Sequence, residues 1–338
     1  RGALYAAHAD LYRYGDENHG VDFEHNIIIV NGGGWPKYDK PESCGDENST
    51  RGFMVGLATG PMADYIRGDA KWSYCDNSIP NANPAIRAER AALFVKQGPA
   101  PYLLLVDDIQ YTNVPTEYDW LWHAPADVAI AGAGTPADPL TLTAEKGRCA
   151  IRFLEPAVVP AVTITPAEGS NRHYRGKLRR IAVRQQAVRT RYIALATLEA
   201  PDQPAPTLTA QPVACPGNPS AGAMTIAWPD GTTDHLAWQS EEDRLQQGFD
   251  LSAGPLRTDG LLAMVRLKAG KVVGYLLGEG TTLAFDGRRL VDADGPVSVT
   301  AVGDQVDVTG RQRTREGLAP VMPKTCRAIT PADGSPGR

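Results

Sequence analysis

The sequence predicts an all-β protein: an antiparallel β-sandwich followed by a smaller C-terminal β-sheet domain. Three observations predict it. Helical periodicity is almost absent along the 338 residues. Twenty-seven prolines and 34 glycines cut the chain into short segments. Those segments either alternate or run β-branched and aromatic, with turn residues between them. Short strands closed by frequent turns belong to antiparallel sandwiches rather than to βαβ units.

Taken in order, Ala3-Leu4-Tyr5-Ala6 is the first candidate strand. Ile27 to Val30 is an unbroken β-branched run, expected to be buried on both faces, and Asn31 to Gly34 gives it a sharp exit free of bulky side chains. Further strands are expected at Ala91 to Lys96, Tyr102 to Val106, Ala126 to Ile130, Ala161 to Thr165, Ile181 to Val183 and Tyr192 to Thr197. Three prolines within Pro201 to Pro206 make a stiff connector. The expected organisation is therefore a sandwich domain over 1–204, a second β domain over 205–330 and a loose polar tail over 331–338. In the second domain, Trp228-Pro229-Asp230-Gly231-Thr232-Thr233 reads as strand, turn, strand. Hairpins follow, built from Leu262 to Leu267, Val272 to Leu277, Thr282 to Phe285, Leu290-Val291, Val297 to Val302 and Gln305 to Val308. Their expected turns are Gly270-Lys271, Gly278 to Gly280, Asp286-Gly287 and Gly303-Asp304. Ser240 to Gln247, with Glu241, Glu242 and Asp243 in its first turn, is the one expected short helix.

Hydrophobic residues at 42% suffice for ordinary cores. A net charge of −5 and a pI near 5.7 argue against a nucleic-acid binder that neutralises phosphates. No apolar run approaches the roughly 20 residues of a membrane helix, so no membrane partner is expected. The first residue is Arg1 and no leader is recognisable, so the chain is expected to be processed, cut or incomplete at its start. Cys44, Cys75, Cys149, Cys215 and Cys326 are widely spaced and form no metal-binding pattern. They read as small residues with room for one disulfide, and Cys44 with Cys75 is one pairing that would bridge a single loop region.

The stretch His25-Asn26-Ile27-Ile28-Ile29-Val30-Asn31-Gly32 resembles the His-Asn-Thr-Val-Leu-Val-Asp-Gly signature of the heparinase II/III-like polysaccharide lyases. Other segments match that family in the same order. These are Asp64 to Ala70 with Tyr74, Arg87 to Val95, Tyr102 to Asp108, Trp120-Leu121-Trp122-His123, Arg191 to Leu195 and the region from Val297 to Val308. The resemblance implies a β-sandwich of the lyase supersandwich type, preceded in the full-length protein by an N-terminal α/α toroid that this chain does not contain. It also implies β-elimination on a uronic-acid polysaccharide of alginate or glycosaminoglycan type, in a bacterial periplasmic or secreted setting. In that reaction a tyrosine or histidine takes the C5 proton, and an acid assists the departing C4 oxygen. The uronate carboxylate is neutralised, because the C5 proton is otherwise too weakly acidic.

Some family members hold zinc with a histidine of an upstream motif, an aspartate in a turn and the histidine of the signature. Here the turn reads Arg13-Tyr14-Gly15, and an arginine cannot ligate zinc. No cofactor is therefore expected, and any metal site through His25 is disfavoured. The resemblance places acid/base candidates at Tyr12 and Tyr14. His19 is a candidate proton shuttle, and His25 a hydrogen-bonding group at the cleft edge. Arg13 suits a bidentate contact with a uronate carboxylate, and Asn26, the polar neighbour of His25 in sequence, is a second candidate for binding the substrate. Trp35 and Trp72 are candidates for stacking on sugar rings. Against these stand plainer readings: surface tyrosines on a polar loop, a buried strand with His25 satisfied by the backbone, and His123, Trp120 and Trp122 as core. The basic run Arg172 to Arg180 reads either as a polyanion contact or as a solvated hairpin. The alternative to a lyase is a non-catalytic carbohydrate-binding or structural module, or an inactive homologue.

Overall fold

The fold was obtained as a computed structural model. It describes residues 28–31, 53–74, 85–156, 162–170, 175–199, 208–218, 221–241, 243–244, 250–309, 311–314, 317–320 and 325–331. Strands carry most of them, in antiparallel pairs. The first twelve are β1 (Ile28–Val30), β2 (Phe53–Thr59), β3 (Ala63–Asp69), β4 (Arg87–Val95), β5 (Tyr102–Gln110), β6 (Thr116–Pro125), β7 (Ala129–Ala131), β8 (Leu140–Ala144), β9 (Gly147–Glu155), β10 (Val162–Ser170), β11 (Arg175–Ala187) and β12 (Thr190–Glu199). Then follow β13 (Thr209–Pro212), β14 (Gly222–Ala227), β15 (Thr232–Trp238), β16 (Leu251–Ala253), β17 (Leu256–Thr258), β18 (Leu262–Lys268), β19 (Lys271–Phe285), β20 (Arg288–Val302), β21 (Gln305–Thr309), β22 (Arg311–Thr314), β23 (Gly317–Pro320) and β24 (Cys326–Ala328). A 3-10 turn covers Lys71–Tyr74.

The chain forms two compact units. The first takes residues 1–52, 69–90 and 104–205; the second takes 53–68, 91–103 and 206–338. The first unit contains a four-stranded sheet in the order β1-β6-β11-β10 and a sheet portion in the order β5-β12-β9-β8-β7. Trp120 on β6 joins their facing sides. Its ring meets Phe153 on β9 edge-on at 5.0 Å, and its Nε1 donates to Asp107 Oδ2 on β5 at 3.0 Å. Tyr192 on β12 donates its hydroxyl to the Tyr118 carbonyl at 2.8 Å. That is sandwich packing, with aromatic bodies filling the middle and each polar tip satisfied. Tyr118, Trp120 and His123 are fully buried, so the histidine that ends the run of aromatics on β6 belongs to the core.

The second unit contains a sheet in the order β13-β14-β15-β18-β19-β17-β16, with β20 pairing β19, β21 and β24, and a portion in the order β2-β3-β4-β5. Its apolar core gathers Leu251, Val265, Tyr275, Leu277, Leu283, Val291 and Val299, among others. Gly274 leaves space for Met62, whose sulfur lies 2.4 Å from where a Cβ would stand.

The predicted hairpins fall into place with three corrections, the first being that the turn expected at Gly270-Lys271 lies one residue earlier. Lys268 pairs with Lys271, leaving Ala269 and Gly270 as a two-residue loop with φ of 50° and 75°. Phe285 pairs with Arg288 around Asp286-Gly287 at 49° and 75°. Positive φ at both loop residues is the geometry whose twist suits a tight hairpin. Gly278 to Gly280, expected as a turn, instead lies inside the 15-residue strand β19. Glu279 there has φ of 55°, and the register shifts on either side of Gly280. Glycine flanks serve a bulge as well as a turn, and the bulge takes this position. The expected strands Leu290-Val291 and Val297 to Val302 are one strand, β20. At Ser240 a helical turn does begin: its Oγ accepts from the Asp243 amide at 3.1 Å and its carbonyl from the Arg244 amide at 3.0 Å. That is an N-cap.

Candidate functional site

Most of the residues singled out in the sequence lie outside those described: Tyr12, Arg13, Tyr14, His19, His25, Asn26 and Trp35. Cys44, Cys75 and Arg172 to Tyr174 lie outside them too. Trp72 falls on the 3-10 turn, and its side chain is outside the described set. The strand that carries the signature is described from Ile28 onward. Ile28 pairs with Trp120, and Val30 with Tyr118. Both Ile28 and Ile29 are buried, as the unbroken β-branched run predicts. Asn31 ends the strand with φ of 52°, and its Oδ1 accepts from the Glu117 amide at 3.1 Å. Asparagine tolerates this left-handed conformation, so it fixes the exit.

Tyr74 ties the 3-10 turn to this strand by donating its hydroxyl to the Ile28 carbonyl at 2.9 Å. Two candidate elements, the turn with Trp72 and the strand that follows His25-Asn26, are thus joined by one buried hydrogen bond. Below them β5 carries two adjacent carboxylates. Asp107 accepts from Arg90 Nη2 at 3.0 Å and from Trp120 Nε1, while Asp108 accepts from Arg87 Nη1 at 3.1 Å and Arg189 Nε at 2.8 Å. Neighbours on a strand point to opposite faces, so one dipeptide anchors both sides of its sheet. Each carboxylate is buried and held by arginine, which suits a scaffold rather than proton transfer.

The second unit holds a pocket of about 170 Å³, lined by both charged and apolar side chains. Arg67 on β3 lies on its wall and is only 4% exposed. Its Nε and Nη2 reach Glu279 Oε1 and Oε2 at 2.8 and 2.7 Å, a bidentate pair, and Nη2 also reaches Glu241 Oε2 at 3.2 Å. Tyr65 donates its hydroxyl to Glu279 Oε1 at 2.9 Å. Arg244 donates to the Glu279 carbonyl at 2.7 Å, and Ser298 Oγ accepts the Glu279 amide at 3.2 Å. Gly56 makes room for the carboxylate: a Cβ there would stand 1.9 Å from Glu279 Oε1.

This cluster is missing from the sequence reading. Tyr65 and Arg67 sit in a segment noticed only for its resemblance, and Glu279 in a triplet read as a turn. The available signal was a charged residue between two glycines in an apolar run, which a solvent-facing turn and a bulge share. Among the described residues no three His, Cys, Asp or Glu side chains gather as metal ligands.

No protein-family model matches the chain, and no curated protein sequence does. Solved structures do. A heparinase III with methylated lysines matches with a TM-score of 0.51 at 11% identity, covering 71% of this chain and 34% of that one. The heparan sulfate lyase HepC of Pedobacter heparinus, in a mutant form, matches with a TM-score of 0.49 at 11% identity, covering 69% and 34%. The chain spans about a third of the length of these two proteins. At this identity the heparinase III likeness establishes a shared β fold.

Proposed function

We propose that this chain is the β-sandwich part of a polysaccharide lyase that cleaves a uronic-acid-containing polysaccharide by β-elimination. One observation carries the reading: the segments that resemble the lyase family in sequence order fall on strands of a fold shared with heparinase III. The His25 signature runs into β1, Asp64 to Ala70 into β3, Arg87 to Val95 onto β4, Tyr102 to Asp108 onto β5, Trp120 to His123 onto β6 and Arg191 to Leu195 onto β12.

In this reading the substrate lies at the mouth of β1. Tyr12 or Tyr14 exchanges the proton at C5 and at the leaving C4 oxygen. His19 relays it, and His25 holds the cleft edge by hydrogen bonding. Arg13 faces the uronate carboxylate with Asn26 and stabilises the charge that develops as the C5 proton leaves. Trp35 and Trp72 offer faces to the sugar rings. No resident metal takes part. An N-terminal toroid in the full-length protein supplies the rest of the site, and the setting is periplasmic or secreted.

The test is the ultraviolet absorbance of unsaturated uronate on incubation with alginate, heparan sulfate or a related polymer. The full-length parent should raise it, and Tyr12→Phe, Tyr14→Phe or His25→Ala should reduce the rate by about 10²-fold or more. No rise with any uronate polymer sinks the lyase reading and leaves a non-catalytic carbohydrate-binding or structural module.

A further inference from the structure

The pocket around Arg67 and Glu279 plays no part in that reading, yet it has the marks of a built site. Glu279 is held in the left-handed region in the middle of a strand that continues past it on both sides. A non-glycine residue held there costs of order 1–3 kcal/mol and persists where its surroundings over-determine it. Here they do: Arg67, Tyr65, Ser298 and Arg244 all bind Glu279, and Gly56 is small enough to admit its carboxylate. The bulge serves to aim one carboxylate at one buried guanidinium, beside an open space of about 170 Å³.

The charge on the walls selects the occupant. Arg67 and Arg244 contribute two positive charges, Glu241 and Glu279 two negative ones. A cation would meet the two guanidiniums, and an anion the two carboxylates, so neither gains net attraction. A wholly apolar molecule could pack on Val55, Leu57, Pro296 and Val297 but would strip water from the charged groups opposite, whereas a sugar ring offers C–H faces to the first and hydroxyls to the second. A neutral polyhydroxy compound meets no such penalty, because each hydroxyl donates one hydrogen bond and accepts others. Carboxylates at Glu241 and Glu279 take the donated bonds, the guanidiniums give them, and Ser298 and Thr309 do either. The volume is close to the roughly 150 Å³ of a cavity that takes one benzene molecule, which fits one ring rather than a chain.

We propose that this pocket binds a single neutral sugar ring, either free or at the end of a neutral glycan. None of the pocket's lining residues is among the residues given a part in elimination, so the proposal stands or falls independently of elimination activity.

Calorimetric titration of the whole 338-residue chain tests it, with glucose, galactose and mannose as probes, their oligosaccharides as a second arm and galacturonate as a charged control. At least one neutral hexose should bind with a dissociation constant on the order of 1 mM. Tighter binding of the oligosaccharide than of its monosaccharide identifies a glycan end as the source; equal binding identifies the free sugar. Glu241→Gln, at a side chain 42% exposed, keeps the bidentate Arg67–Glu279 pair and should weaken binding about tenfold, as should Thr309→Val. The proposal is overturned if none of the three hexoses binds, if galacturonate binds more tightly than all of them, or if both variants bind like the parent. Titration reads binding without turnover, so hexose binding by this chain beside a full-length parent that cleaves no uronate polymer would refute the lyase reading alone.

Discussion

Asp234 shows how a buried charge is kept in this protein. Its carboxylate is fully buried and accepts from Arg266 Nε at 2.6 Å and Nη2 at 2.7 Å, from the Tyr102 hydroxyl at 2.9 Å and from Trp228 Nε1 at 3.3 Å. Burial, with the nearby carboxylate, pushes the Tyr102 hydroxyl well above its ordinary pKa, so it remains a donor across the accessible pH range. Removing one partner leaves the other charge buried alone, which costs about 3–5 kcal/mol. Asp234→Ala should lose that much in urea denaturation, whereas Tyr102→Phe should lose only about 1 kcal/mol. Equal losses from the two variants would show that the ion pair contributes nothing beyond packing. Asp230, four residues earlier, behaves differently because it is exposed. Hydrogen bonding to Lys268, ahead of the Thr232 contacts, lowers its pKa to about 2 from an ordinary 3.8. A carboxylate whose folded pKa is depressed stabilises the fold above its unfolded value and loses that contribution as pH falls towards about 2. At 43% exposure the pair is worth at most about 1 kcal/mol. The carboxyl carbon of Asp230, followed by NMR, should titrate near 2 and move up towards 3.8 in Lys268→Met. An unmoved midpoint would assign the shift to Thr232 alone.

At the scale of elements, legibility depended on whether local chemistry had one structural solution. Ile28 to Val30 had one: three consecutive β-branched residues followed by an asparagine able to take positive φ. Asp286-Gly287 also had one, a two-residue hairpin loop. Gly278-Glu279-Gly280 had two, and the bulge that forms points Glu279 at Arg67, 212 residues away in sequence. No local pattern reports a partner at that distance, so the fold class was readable and the Arg67–Glu279 pocket was not. The β18–β19 loop gives a direct check on turn chemistry. Ala269 sits at φ of 50°, a conformation that costs an ordinary L-residue roughly 1–2 kcal/mol and that asparagine tolerates better. Nothing lies within 4 Å of a Cβ at neighbouring Gly270, so backbone conformation dominates at this tip. Ala269→Asn should stabilise the protein by about 0.5–1 kcal/mol in chemical denaturation, and Gly270→Val should destabilise it by more than that. A destabilising Ala269→Asn would mean that the loop is not governed by its φ angles.

For the molecule as a whole, the relevant fact is that the second unit is not continuous in sequence. It draws 53–68 and 91–103 from the N-terminal half and 206–338 from the C-terminal half. These early segments provide more than surface. Met62, Tyr65 and Tyr102 are fully buried, Arg67 is the partner of Glu279, and the Gln97 carbonyl accepts from Arg266. Composition hides this, because the proline-rich stretch Pro201 to Pro206 invites a cut, and the hairpins beyond it look self-sufficient. A fragment of 206–338 would keep the Asp234–Arg266 pair without the Tyr102 hydroxyl, and Glu279 without either Arg67 or Tyr65. It would also expose the apolar surface that Met62 and Tyr102 cover. Losses of several kcal/mol exceed a sizeable part of the 5–15 kcal/mol that holds an ordinary domain together. The isolated fragment should therefore retain β-type far-ultraviolet dichroism, bind a hydrophobic dye and give a collapsed amide spectrum, the signature of lost specific packing. Adding back a peptide that spans 53–103 should restore dispersion in part. A well-dispersed spectrum from 206–338 alone would show that its core closes without the early segments, and that Arg67 is dispensable to the position of Glu279.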